Sequence, residues 1–590
     1  MYGPFTTYIQ PYKKRLLLGI LAIGLAQAAA SLIPLRIEEA INTIETADLI
    51  LGPADSLQKI RLYLVQIGAL ALFVGLGRYC MRRLLGFVSN RIEYDIRTNY
   101  FAHLLKLPLS YYQKHHTGDL MSRATNDLIA VHVFFTYCLR SLVDSGLTFI
   151  FSLALMLTIH WQLTLIVLLP LPVLGLFVVR MSPRVHNRFK NIQEFFGQMS
   201  TFIQENLSGI RVVKAYVQGP AQISAFEELN QTYLDKNQRL IHTRAIYYPI
   251  FSLISSIGLG LTLWFGGQAV VDGDLTIGGF VAFNAYLTML IRPFSWAGWM
   301  IDRSQRALVA MRRINEVVDI QPEIEDHIQE SAAQGDMVGH IQFRNLSFAY
   351  GDNPILQGID LDIPAGSTLG IIGRVGSGKT TLARLIPRLI QTDQGQLLID
   401  GIPVDEWPLD QLRHAIGYVS QVPFLFSDSI RANVAYGVEQ AREEQVLRAS
   451  EQAQIKKDVE DFEQGFDTLI GERGVTLSGG QKQRSTLARA LIRLPRILIL
   501  DDSLSAVDTQ TEEAILGHLR QLMKDRTTLL IAHRISTLRD ADHIIVPADQ
   551  KGRRGVIDDR LTGWAGGEMS CWGCRIFYSA ARWRPKPITC

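Results

Sequence analysis

The chain is poor in charge, in cysteine and in any excess of one sign. Only 19% of its 590 residues are Asp, Glu, Lys or Arg, and the formal net charge is +3. No global basic field results, so nucleic acid is not an expected partner. Five cysteines, Cys80, Cys138, Cys571, Cys574 and Cys590, make no disulfide framework, which fits a reducing interior. A cleavable leader is not expected either: Lys13, Lys14 and Arg15 precede an apolar run with no small-residue cleavage site at its end. What replaces charge is apolar surface. Hydrophobic residues make up 48% of the chain, high for a soluble protein, and the length calls for several domains.

The apolar excess is concentrated in the first half. Runs near 16–36, 60–80, 141–160, 161–181, 249–271 and 277–299 each approach the ~20 residues a bilayer span needs. Basic residues flank them unevenly. Lys13, Lys14 and Arg15 precede the first run and Arg78, Arg82, Arg83, Arg91 and Arg97 follow the second, whereas Glu38, Glu39, Glu45, Asp48 and Asp55 occupy the intervening loop. That asymmetry predicts a multi-pass membrane protein with a cytoplasmic N-terminus and cytoplasmic long loops. The stretches 91–140 and 182–248 keep helical periodicity with mixed charge, so the spans are expected to continue into the cytoplasm and turn back. One turn is expected over Pro108–Gly118 and the other at Gln218-Gly219-Pro220. Trp264, Phe265, Phe294, Trp296 and Trp299 could line a cavity for apolar molecules, pack helices or sit in an interfacial belt.

The second half carries different signals. Leu369-Gly-Ile-Ile-Gly373 reads as a buried strand, and Thr380–Ile386 reads as a helix. Between them runs Gly373-Arg374-Val375-Gly376-Ser377-Gly378-Lys379-Thr380, with Thr381 next. Strand, glycine-rich loop and helix are the setting in which backbone N–H groups close round a triphosphate. ATP is the expected ligand, with Lys379 reaching its β- and γ-phosphates and Thr380 ligating Mg²⁺. A second strand, Arg496–Leu500, delivers Asp501 at its carboxyl end, where it would hold the metal through water.

With Leu477-Ser-Gly-Gly-Gln481 added, the chain resembles an ABC transporter. Residues 341–547 look like that family's ATPase domain and the six spans like an exporter-type half-transporter. Chain details resemble MdlA-like subunits of bacterial heterodimeric multidrug exporters. The resemblance implies a helical six-span domain over 1–320, a linker over 321–340, and an α/β P-loop (RecA-like) domain over 341–547 with antiparallel and helical subdomains. It implies that Tyr350 stacks on adenine, that Gln421 senses Mg²⁺, and that Glu472 lies in the segment touching the intracellular loops. Ser478, Gly479, Gly480 and Gln481 would face nucleotide held by a second half-transporter. Asp508 would link the two sites and His533 would hold the γ-phosphate. The turns Ser110–Thr117 and Lys214–Gln222 resemble the coupling helices.

One position departs from the pattern. The residue after the metal Asp, a water-polarising Glu in efficient hydrolases of this family, is here Asp502. A shorter acid there predicts a slow site of its own and a heterodimer whose partner carries the competent one; a slow homodimer is the alternative. The expected activity is ATP-driven export of amphipathic or apolar compounds, drugs or lipids first and peptides next. A nucleotide-gated regulatory subunit is the competing class. Residues 548–590, rich in Trp, Arg, Gly and Cys, match nothing in the family and read as a divergent or frame-shifted end.

Overall fold

A computed structural model describes residues 5–47, 53–324, 336–351, 353–393, 395–471, 477–504, 509–523, 525–539 and 541–547. The expected 548–590 tail, Glu472, Asp508 and most of the 321–340 linker lie outside the described residues. The described chain divides into two compact units, one from 5–105 and 116–320, the other from 106–115 and 321–547.

The first unit is helical. Five helical stretches, Thr7–Glu45, Leu57–Leu104, Thr117–Ile159, Trp161–Ser208 and Gly219–Val271, are long and apolar enough to cross a membrane. A sixth apolar segment, Ile277–Ile291, is shorter and opens the 42-residue helix Ile277–Val318. At about 1.5 Å per residue, the 48 residues of Leu57–Leu104 extend well past a bilayer core of ~30 Å.

Local chemistry sets the turns between these helices. His160 Nδ1 accepts from the backbone N–H of Leu163 at 3.1 Å, capping the helix that starts at Trp161. Thr276 does the same for Gly279 at 3.0 Å. The helix ending at Ser208 gives way at Gly209 to a short helix, Ile210–Ala215. Gly219 and Pro220 then start the next long helix, where the missing proline N–H has no intrahelical partner to lose. Two interruptions result, one at Gly209 and one at Tyr216–Gln218, and the second is the break expected at Gln218-Gly219-Pro220. The turn expected over Pro108–Gly118 contains the short helix Leu109–Lys114.

Two interhelical contacts lock the first unit. Gly278 N–H donates to Asn42 Oδ1 at 3.0 Å, and a β-carbon at Gly278 would lie 2.3 Å from the Glu38 carbonyl oxygen. Only glycine permits that approach. The buried Tyr286 donates its hydroxyl to the Ser31 carbonyl at 2.6 Å, so its polar end is satisfied inside an apolar cluster of Leu163, Leu174, Phe283, Leu287 and Leu290.

The second unit is built on two sheets. An antiparallel sheet runs in the order β2-β1-β4-β5: Asn353–Ile363, Ile341–Tyr350, Leu397–Ile399 and Ile402–Pro403. A parallel sheet runs β6-β7-β8-β3-β9: Ile416–Val419, Ile497–Asp501, Thr527–Ile531, Thr368–Ile371 and His543–Ile545. β3, β7 and β8 are buried at every position, as continuous apolar runs in a covered parallel sheet must be. Because β7 pairs with β8 and β8 with β3, their carboxyl ends come out side by side.

Candidate nucleotide site

Four neighbouring strands deliver the candidate residues to one edge of the parallel sheet. Gln421 follows β6, Asp501 ends β7, His533 follows β8, and the glycine-rich loop follows β3. Ligands bind at the carboxyl edge of such sheets.

The loop's geometry follows from its glycines. Gly376 and Gly378 hold φ of +85° and +86°, which side-chain-bearing residues avoid, and a β-carbon at Gly378 would lie 2.6 Å from Leu356 Cδ2. Helix Lys379–Leu385 starts directly afterwards. Arg374 and Val375 are exposed on the loop's outer side, while Lys379 and Thr381 are buried beneath it. Lys379 Nζ donates to the carbonyls of Gly373 at 2.7 Å and Arg374 at 2.8 Å. Burial pushes its ammonium below the ordinary lysine value, opposed by Asp501 and Asp502.

Asp501 is 1% exposed. Its Oδ1 accepts from Thr380 Oγ1 at 3.2 Å, and its Oδ2 is buried with no hydrogen-bond partner among the described residues. Burial raises the carboxyl above the usual range, with the Thr380 hydroxyl and Arg384 acting the other way. A buried carboxylate with an unmet oxygen beside a threonine hydroxyl has the hard oxygen donors that Mg²⁺ takes, so the residues fit the expected ion.

Asp502 stands next to this pair in the left-handed region, with φ +48°. Its Oδ2 lies 3.5 Å from Gln421 Nε2 and 3.8 Å from His533 Nε2. The acid after the metal Asp is thus bracketed by the two side chains singled out for sensing and switching. Tyr350 ends β1 half-buried, its ring edge-on to Phe348 at 4.9 Å.

Leu477–Gln481 builds a helix start away from these groups. Ser478 Oγ accepts from the Gln481 N–H at 3.2 Å and Gln481 Oε1 accepts from the Ser478 N–H at 3.0 Å, a reciprocal cap on helix Gly479–Leu491. Gln481 Nε2 also donates to Asp458 Oδ1 at 3.0 Å. Gln481 is therefore occupied within its own domain, while Ser478 and Gly479 are exposed and Gly480 partly so. Ser478 makes its bonds within this helix start and Lys379 makes its own within the glycine-rich loop, and among the described residues no hydrogen bond joins the two groups.

Arg384 was not singled out by the motifs. On helix Lys379–Leu385, its guanidinium is opposed by burial but held charged by the neighbouring Tyr418 and Tyr350 hydroxyls, and it favours the charged form of Asp501. Only its position on the helix that follows the loop hinted at that role.

Comparison with known proteins now decides the family. Residues 16–294 match the model described as the ABC transporter transmembrane region, and residues 356–505 match the one described as ABC transporter. The chain is 37% identical to a probable multidrug resistance ABC transporter ATP-binding/permease protein, YheI, of Bacillus subtilis, over 82% of each chain. The chain belongs to the ABC transporter family. This transporter is also 36% identical to the multidrug resistance-like ATP-binding protein MdlA of Escherichia coli, over 86% of each chain. An ATP-dependent lipid A-core flippase of Syntrophus aciditrophicus is 34% identical over 79% of this chain and 78% of its own. The transporter joins one membrane region to one ATPase domain, the half-transporter architecture, and its ATPase domain binds ATP.

Proposed function

We propose that this chain is one subunit of an ATP-driven exporter of amphipathic or apolar compounds, paired with a different half-transporter. It lies in the plasma (inner) membrane with its N-terminus and ATPase domain in the cytoplasm. Its own Gly373–Thr381 loop, Asp501 and Asp502 form one half of a site that binds ATP and turns over slowly. Ser478, Gly479 and Gly480 complete the opposite site, whose water-activating acid comes from the partner. Asp502 carries this reading: it supplies a carboxylate one methylene short at the position that polarises the attacking water.

The roles follow from the side chains. The loop N–H groups and Lys379 neutralise the phosphates, and Lys379 must exchange its bonds to the Gly373 and Arg374 carbonyls for phosphate oxygens. Asp501 and Thr380 hold Mg²⁺, which offsets charge developing on the phosphates. Gln421 and His533 flank the position of the attacking water and the γ-phosphate, and Tyr350 backs the base. Asp508 is proposed to link the two sites. ATP held between two such domains draws them together, and the short helices Leu109–Lys114 and Ile210–Ala215 pass that closure to the long helices. Tyr216 and Val217, exposed beside the second of these, give it an apolar docking face.

The names of the relatives support the cargo class, since two speak of multidrug resistance and one of lipid A-core. The test is uptake of a fluorescent amphiphile into inverted membrane vesicles containing this chain and its co-encoded partner. ATP-dependent, vanadate-sensitive uptake is expected. Nucleotide-dependent conductance without uphill uptake would make the chain a regulatory or channel-like subunit instead.

A further inference from the structure

A buried carboxylate, Glu512, is paired with the exposed Arg534, the residue after His533. Glu512 is 3% exposed although it carries a charge, and both of its oxygens are engaged. Oε2 accepts from Arg534 and Oε1 accepts from Thr537 Oγ1 at 2.6 Å. Arg534 is the residue after His533, and Thr537 lies in the turn Ile535–Leu538 that follows. Glu512 belongs to another element, helix Thr509–Met523, which begins at the residue after Asp508. A small cavity of about 50 Å³ adjoins the pair, and Asp502, Glu512, His533, Arg534 and Thr537 are among the residues that line it.

We infer that Glu512 is a positioning residue that sets the reach of His533 toward the γ-phosphate, by clasping Arg534 and Thr537 to the helix that begins beside Asp508. The physical argument has three parts. Burying a carboxylate as deeply as Glu512 is costly unless its oxygens are satisfied, and both are satisfied from the segment that carries His533. The two bonds tie the chain at one and four residues past His533 to helix Thr509–Met523, which restrains the segment that carries the imidazole. The adjoining cavity leaves space into which the His533 segment would relax once the clasp is gone. Through the same helix, movement near Asp508 and movement of His533 become one event. The inference rests on the reading of His533 as the γ-phosphate contact, and does not depend on how fast the Asp502 site turns over.

The test separates γ-phosphate recognition from folding. Dissociation constants of ADP and of the non-hydrolysable β,γ-imido analogue of ATP are measured, with Mg²⁺, on the full chain purified with its partner. Wild type, Glu512→Gln, Thr537→Val and His533→Ala are compared by displacement of a fluorescent nucleotide, with this chain's site read through photolabelling. Glu512→Gln is expected to reduce the preference for the triphosphate analogue about tenfold, to the level of His533→Ala, while ADP binding stays within twofold. Thr537→Val, the milder change, should lose a smaller part of the preference, and Glu512→Gln added to His533→Ala should lose nothing more. Equal weakening of ADP and analogue in Glu512→Gln and Thr537→Val would make the clasp a purely structural pair and overturn the inference. Unchanged preference in both variants overturns it too. Should His533→Ala keep the wild-type preference, the switch assignment falls, and the clasp's role with it.

Discussion

Replacing Asp502 by Glu restores one methylene to the acid beside the metal carboxylate, and the structure allows the gain to be estimated. The Asp502 carboxylate is drawn between Gln421 Nε2 at 3.5 Å and His533 Nε2 at 3.8 Å, and only 12% of the side chain is exposed. A methylene adds about 1.5 Å of bond length. A misplacement of ~1 Å in a catalytic group costs about a hundredfold in rate, equivalent to ~2.7 kcal/mol. Part of that gain is lost to the backbone. Residue 502 holds φ +48°, a conformation that Asp accepts more readily than Glu, at a difference of ~1 kcal/mol. The balance of ~1.7 kcal/mol predicts a rise of roughly twentyfold in turnover at this site. The assay is steady-state phosphate release by the purified assembly in lipid nanodiscs, with the partner's own catalytic acid neutralised so that only this site reports. A wild-type rate within twofold of Asp502→Glu, at any rate typical of a competent transporter, would refute the reasoning.

Three further outcomes follow from particular contacts. Lys379→Ala removes a buried cation from under the loop and should abolish photolabelling of this chain by azido-ATP at concentrations that saturate wild type, with the helical content unchanged by circular dichroism. Gly278→Ala would place a methyl 2.3 Å from the Glu38 carbonyl oxygen and 2.4 Å from Asn42 Oδ1, so the apparent melting temperature in detergent should fall, for overpacking of ~1–3 kcal/mol; an unchanged melting curve would show that these helices separate freely. Chelating Mg²⁺ should weaken ATP binding to wild type and have little effect on an Asp501→Asn variant, as read by fluorescent-nucleotide titration, because Asp501, with its unmet Oδ2, would be among the groups that hold the ion.

Much of the architecture was legible in the sequence because it depends on local rules. Apolar runs bounded by charge marked the membrane helices, and uninterrupted apolar segments marked β3, β7 and β8, which are buried at every residue. The glycines at 376 and 378 and the cap at Ser478 are likewise local devices, each readable within a few residues. What the sequence concealed depends on partners far apart along the chain. Gln481 read as a group facing another chain's nucleotide, yet its side chain is held by its own helix start and by Asp458, 23 positions away. Arg384 joins Tyr350, Tyr418 and the surroundings of Asp501, which no spacing rule brings together. The second break is double: Gln218-Gly219-Pro220 was readable as a turn, whereas the earlier stop at Gly209, before Ile210–Ala215, had no proline to mark it. The left-handed backbone at Asp502 has no sequence signature, since Asp adopts that conformation at modest cost anywhere.

The central claim is that a bound ATP is shared between two polypeptides, so that Ser478 acts on nucleotide that this chain's Lys379 does not hold. Substituting Ser478→Arg in this chain, within the assembled transporter, tests it most directly, with azido-ATP labelling of each subunit read alongside ATP turnover. The account predicts that labelling of this chain persists while turnover of the whole assembly collapses. Loss of labelling on this chain, or turnover that continues undiminished, would contradict it.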